Sequence, residues 1–208
     1  MEYRTLPNTG LKVSRVSFGT MTFGSQADEE SARRMIDLCL DAGINFIDTA
    51  NIYNKGLSET IVGKLLKGRR DKVVLATKVR GKMGDAPDES GLSRAAIQKA
   101  IDASLQRLQT DYVDLYYLHQ PDYDAPIEET LAAMDELVNL RFGSGAHGGM
   151  SVARVDDRDA REAVDILLAA GVGDARAVSA VDDDRLDVGE AGGDEARVLL
   201  ARIQIGHG

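Results

Sequence analysis

Apolar residues in the first 138 positions follow two alternating patterns. Short continuous runs, "INFIDTA" (44–50), "DKVVLATKV" (71–79) and "YVDLYYLH" (112–119), have the length and β-branched or aromatic content of buried strands. "KVSRVSFGT" (12–20) reads as a strand ahead of them, after an amphipathic start in which Thr9-Gly10 signals a turn. Between these runs the spacing is helical. "DEESARRMIDLCLDAG" has acids in its first turn, Ala32, Met35, Ile36, Leu38, Cys39 and Leu40 as its apolar side, and Gly43 at the C′ position. "SETIVGKLLKG" predicts a helix with Ser58 as N-cap and Gly68 as its stop. "SRAAIQKAIDASLQRL" is capped by Ser93 and carries Ala96, Ile97, Ala100, Ile101, Ser104, Leu105 and Leu108 on one stripe. "PIEETLAAMDELV" opens with Pro126 in its first turn.

Four strands thus alternate with four helices, joined by short connections except the Gly-rich "RGKMGDAPDESG" (80–91). Continuously apolar strands separated by amphipathic helices imply an α/β fold with a parallel sheet, either doubly wound or a (β/α)8 barrel. Composition adds a boundary. All eight lysines, six tyrosines and four prolines lie within residues 1–138, whereas 139–208 hold 12 Ala, 11 Gly, 10 Asp and 8 Arg. Such a break marks a domain boundary or a foreign tail. Within it, 159–171 reads as a further helix, 196–206 as a strand or helix, and 179–196 as a loop or disordered segment.

A net charge of −9 without a basic run argues against nucleic acid or an anionic membrane as partner. No segment approaches the ~18 apolar residues of a membrane span, and the start "MEYRTLPNTG" is not a signal peptide, so a cytoplasmic protein is expected. Cys39, the single cysteine, reads as a small buried hydrophobe.

Candidate chemistry gathers at the strand ends. Asp48 ends the second strand, Tyr53 follows in the loop, Lys78 ends the third strand and His119 the fourth. In a barrel of parallel strands these ends share one face, where active sites form. A phenol is a poor acid at neutral pH, its pKa being about 10. A nearby ammonium favours the phenolate, and a carboxylate beside that lysine keeps it charged and oriented. With a histidine donating to a carbonyl oxygen, such a set polarises C=O and protonates the developing alkoxide. No side chain supplies a hydride, so a nicotinamide cofactor is implied. Metal binding accounts for the residues poorly, because only His119, His147 and His207 exist and no ligand spacing occurs. No G-x-S-x-G follows a strand, which weakens a serine hydrolase. "GSGAHG" (143–148) satisfies G-x-G-x-x-G, with Asp165 beyond it, but follows a helical pattern where a dinucleotide loop needs a strand.

The stretches "YRTLPNTGLKVSRVSFGTMTFG", "DAGINFIDTANIYNKGLSE", "VVLATKV", "SLQRLQTDYVDLYYLHQPD" and "PIEETLAAMDEL" resemble the aldo-keto reductase superfamily of the bacterial type. The resemblance covers about residues 1–138 and implies an NADPH-dependent reductase of aldehydes or ketones on a (β/α)8 TIM barrel, without a Rossmann loop. It implies Tyr53 as general acid, Asp48 and Lys78 as the pair that tunes it, and His119 as the residue orienting the carbonyl. Gly19, Thr20 and Met21 match the segment lying along the nicotinamide ribose, with Asp48 beside them. Potassium-channel β-subunits are similar too, which adds a cofactor-sensing interaction module as an alternative.

The resemblance stops near Val138. The family's fifth strand with its Ser-Asn pair, and its later glutamine, stacking tyrosine and basic phosphate-binding segment, have no counterpart in 139–208. Seventy residues do not suffice for four more βα units when the whole barrel takes about 250. The expected organisation is therefore the first four βα units of a barrel (1–138) followed by a divergent tail (139–208). Its Asp/Arg/Ala/Gly/Val composition suggests out-of-frame translation of GC-rich DNA. A third reading is then a non-catalytic half-barrel, whose exposed edges and helix faces favour self-association.

Overall fold

The computed structural model describes residues 1–6, 9–139 and 203–204. An antiparallel hairpin of β1 (Tyr3–Thr5) and β2 (Lys12–Ser14) opens the chain. The following β3 (Ser17–Gly19) belongs to another sheet, so the stretch 12–20, expected as one strand, is two. Ser14 turns the chain between them: its backbone N–H donates to Asn45 Oδ1 (2.8 Å) and its hydroxyl to the Val16 carbonyl (2.6 Å).

β3 begins a four-stranded parallel sheet, continued by β4 (Phe46–Asp48), β5 (Val74–Val79) and, beyond a break, β7 (Leu115–Leu118). Helices α1 (Glu29–Asp41), α2 (Leu57–Leu66), α3 (Arg94–Leu108) and α4 (Ile127–Asn139) follow these strands in turn, which gives four βα units. The fourth predicted strand is divided at Asp114. Its carboxylate accepts from Leu75 N (2.9 Å) and pairs with Arg70 (2.7 Å), and the preceding β6 (Tyr112–Val113) pairs instead with β8 (Ile203–Gln204). Among the described residues, the outer edges of β3 and β7 have no strand partner.

The sheet has a core on each side, and strand parity sorts its residues. Ile47, Leu75, Val79 and Tyr116 join Ile36, Val62, Leu65, Ile97, Ile101 and Leu105 from the helices. The alternate positions Phe46, Val74, Ala76, Leu115 and Tyr117 pack with Leu6 and Val13 of the hairpin, which covers this inner face.

Local signals hold at most helix ends. Asp28 caps α1 by accepting from Ser31 N (2.8 Å). Gly43 (φ 81°) closes it, with Gly43 N–H donating to Leu40 O and Ile44 N–H to Cys39 O, a Schellman arrangement. Ser93 caps α3 through Ala96 N. Two expectations are corrected. Only Ala32, Ile36 and Cys39 of the α1 set are buried; Leu38 is 69% exposed and Met35 39%, because one turn-spaced stripe reaches the sheet. Ser58 does not cap α2, which Gly56 (φ 86°) precedes; its buried hydroxyl donates to Thr20 O (2.7 Å), joining α2 to the end of β3. The readings over 143–148, 159–171 and 179–196 lie outside the described residues; within 196–206, Ile203–Gln204 is strand.

Candidate active site

The inner face changes character along its strands. Phe46 is followed two residues later by Asp48, and Val74 and Ala76 by Lys78, so the apolar rows end in a buried acid and a buried base at the C-terminal edge. Lys78 is 1% exposed and hence needs partners for all of its charge. Its Nζ donates to Asp48 Oδ2 (2.5 Å), to the Thr49 carbonyl (3.0 Å) and to Tyr53 Oη (3.2 Å). An ammonium has three N–H donors, and all three are used. Burial raises the Asp48 carboxyl above its ordinary range, while the Lys78 charge and hydrogen bond oppose that rise.

Tyr53 is carried by a turn rather than by an open loop. A short 3-10 segment, Tyr53–Gly56, runs directly into α2 and contains two left-handed residues, Asn54 (φ 47°) and Lys55 (φ 51°). The Tyr53 N–H donates to Ala50 O (3.1 Å), and Asn54 Nδ2 ties the turn to Gly24 O (2.5 Å). This places the Tyr53 ring edge-on to the His119 ring, with centroids 5.7 Å apart at 83°. His119 directly follows β7, its backbone N–H bonded to Val79 O (3.0 Å). Burial, then the charges of Lys78 and Arg80, push the imidazole pKa down to about 4, so the ring is neutral at neutral pH. Asp48, Tyr53, Lys78 and His119 therefore converge from β4, the 3-10 turn, β5 and the end of β7.

The segment Gly19–Met21 lies beside them. Gly19 pairs with Asp48 in the register of β3 and β4, and a Cβ at Gly19 would meet no atom within 4 Å. Thr20 is buried; its N–H and hydroxyl both donate to the Asp48 carbonyl (2.9 and 3.1 Å), so its side chain positions the strand end and does not reach outward. Met21 is exposed. Asp48 Oδ1 is buried without a hydrogen-bond partner among the described residues. A sealed carboxylate oxygen next to an open glycine suits a hydroxyl donor from a ligand, so these residues fit a ribose.

Sequence reasoning missed the second tier of this site. Glu59 is fully buried in α2, accepting from Thr77 Oγ1 (2.6 Å), the residue before Lys78, and from Arg107 Nε of α3 (2.7 Å). The available signal was position: Glu59 shares its helical stripe with Val62 and Leu66, where an acid requires a buried partner. The Thr49 carbonyl had no sequence signal, since any residue supplies one. Among the described residues no helix is long and apolar enough to cross a membrane.

Comparison with known proteins follows the same boundary. The profile of the aldo/keto reductase family matches residues 15–140. The uncharacterized oxidoreductase YrpG of Bacillus subtilis is 47% identical over 149 residues, covering 66% of this chain and 46% of that protein. A probable voltage-gated potassium channel subunit beta of Arabidopsis thaliana is 43% identical over 143 residues, covering 67% of this chain and 43% of that protein. Among solved structures, the holo form of the aldo-keto reductase AKR11C1 from Bacillus halodurans superposes with a TM-score of 0.60 at 47% identity, covering 67% of this chain and 47% of that one. The chain thus spans less than half the length of the relatives it matches.

Proposed function

Because this chain belongs to the aldo/keto reductase family of oxidoreductases, built on the TIM barrel, we propose that its site reduces an aldehyde or ketone with NADPH, Tyr53 being the proton donor. The observation that carries this reading is the complete use of the Lys78 ammonium. One N–H goes to a carboxylate, one to a carbonyl and the third to Tyr53 Oη. A phenol oxygen that accepts from lysine keeps its own O–H for the substrate. When the proton leaves, the phenolate faces a charge-assisted bond already in place. Asp48 holds the Lys78 side chain in place through their 2.5 Å bond. His119, neutral with its ring against Tyr53, supplies an N–H donor that orients the carbonyl oxygen without competing for the proton. A bound nicotinamide supplies the hydride. Asp48 Oδ1 and the Gly19–Met21 backbone would hold its ribose side.

Titration with NADPH, followed by nucleotide fluorescence and protein melting, tests the cofactor assignment. Aldehyde-dependent loss of reduced-nicotinamide absorbance tests the reaction. Saturable binding with turnover is expected. A second reading, a cofactor-sensing interaction module, draws on the 43% identity to the channel subunit and would be selected by binding without turnover of any carbonyl. No binding at millimolar NADPH would refute both and leave a non-catalytic half-barrel. The outer edges of β3 and β7, unpaired among the described residues, favour self-association in that case.

A further inference from the structure

Arg80 lies two residues beyond Lys78 and one past the end of β5, at φ 114°, a conformation that disfavours every residue but glycine. Its surroundings are tight. The Arg80 carbonyl accepts from Gly91 N (3.1 Å), and Gly81 is pressed so closely on Ile52 that a Cβ there would collide with it. Strained non-glycine residues concentrate at functional sites.

The side chain is also unusual in its surroundings. Its Nη1 donates to Gln120 Oε1 (3.1 Å), while Nε is buried and has no partner among the described residues. The Nε/Nη2 edge, the fork that matches a carboxylate in two parallel bonds, is unused among the described residues. Nearby cations are paired with acids: Lys82 with Asp85, Lys99 with Asp88 and Glu89, Arg107 with Glu59. Among the described residues Arg80 has no carboxylate within 4.0 Å. Asp122, which lines the adjoining cleft, already accepts from Leu92 N (2.7 Å) and Asp124 N (3.2 Å).

Two cavities, of about 240 and 360 Å³, meet at Arg80. The smaller is lined by Asn51, 1% exposed, whose Oδ1 has no partner among the described residues. Turned by half a rotation, the same amide presents Nδ2 there as a donor. Asn51 N–H donates to Lys78 O (3.2 Å), and Arg80 is bonded to Gln120, the residue after His119, which ties this polar edge to the strand ends that carry Lys78 and His119. The charge of Arg80 is felt at His119.

We propose that Arg80, assisted by Asn51, recognises a carboxylate borne by the carbonyl substrate, which makes oxo-acids the substrate class. This rests on the carbonyl-reductase reading above. The ligand chemistry is that of an anion, which a cofactor phosphate shares, and the test separates the two.

The probes are 4-formylbenzoate and its methyl ester, with wild-type protein and Arg80→Gly. Glycine accepts φ 114° without strain, so this variant is expected to fold and to melt no lower than wild type. The wild type is expected to favour the acid over the ester in kcat/KM, and Arg80→Gly to reduce that ratio by about 10- to 100-fold, the range of a lost charged hydrogen bond. Arg80→Lys, which keeps charge without the fork, should recover part of the ratio. An unchanged ratio overturns the proposal. Loss of NADPH affinity in Arg80→Gly with the ratio intact overturns it in favour of a cofactor phosphate. If neither aldehyde is reduced, the reductase reading fails, and calorimetric titration with 4-formylbenzoate decides this one: binding no tighter in wild type than in Arg80→Gly overturns it.

Discussion

Replacing Asp48 by Asn tests whether Lys78 is a buried charge held by a single acid. The two charges are 2.5 Å apart with side-chain exposures of 1% and 7%. At an effective dielectric near 20, their attraction is about 7 kcal/mol. Part of that is offset, because the variant no longer desolvates a carboxylate. What remains is an ammonium whose partners, the Thr49 carbonyl, Tyr53 Oη and the new amide oxygen, are all neutral, and breaking such a charge pair costs about 3–5 kcal/mol. Against a domain stability of about 5–15 kcal/mol this is a large fraction. In urea, with a slope of about 2 kcal/mol per molar, the midpoint should fall by about 2 M. The double replacement Asp48→Leu with Lys78→Met removes both charges and should cost less than Asp48→Asn alone. A midpoint shift under about 0.5 M, or a double variant weaker than the single, would refute the description of Lys78 as sealed and singly compensated.

The neutral His119 makes stability depend on acid. Its folded pKa, about 4, lies below the ordinary value of 6.5, so the unfolded chain takes up the proton first. The contribution is full above about pH 6.5 and is lost as pH falls towards about 4; His119→Asn should flatten that part of a pH–melting curve, and its imidazole resonance should titrate near 4. A Cβ at Gly63 would press on the backbone of Leu108, so Gly63→Ala should separate α2 from α3. Overpacking of that kind costs about 1–3 kcal/mol, and an unchanged melting temperature would show that the helices do not approach so closely.

How far the site was readable depends on what kind of information each residue carries. Asp48, Lys78 and His119 were visible because a parallel strand has a polar end that must face something, and the period of two puts Asp48 and Lys78 on one face. Ser58 was misread because the local preference of serine for a helix start competes with a buried position between two strand ends, and burial decided. The break at Asp114 was hidden for a related reason. Its carboxylate replaces a strand bond at Leu75 N, which depends on Arg70 lying across the sheet end. Arg80 could not be read at all: its φ of 114° occurs where Gly91 bonds to its carbonyl and Ile52 crowds the following Gly81, neighbours that only the fold brings there.

Tyr53→Phe bears most directly on the central assignment. It removes the oxygen that accepts from Lys78 while leaving the ring against His119 and the fold of the turn. Carbonyl reduction by the variant should fall by about 10²- to 10⁴-fold in kcat, the range of a lost general acid, with the NADPH dissociation constant nearly unchanged. Turnover equal to wild type at equal NADPH occupancy would contradict the account, because the proton would then come from another group.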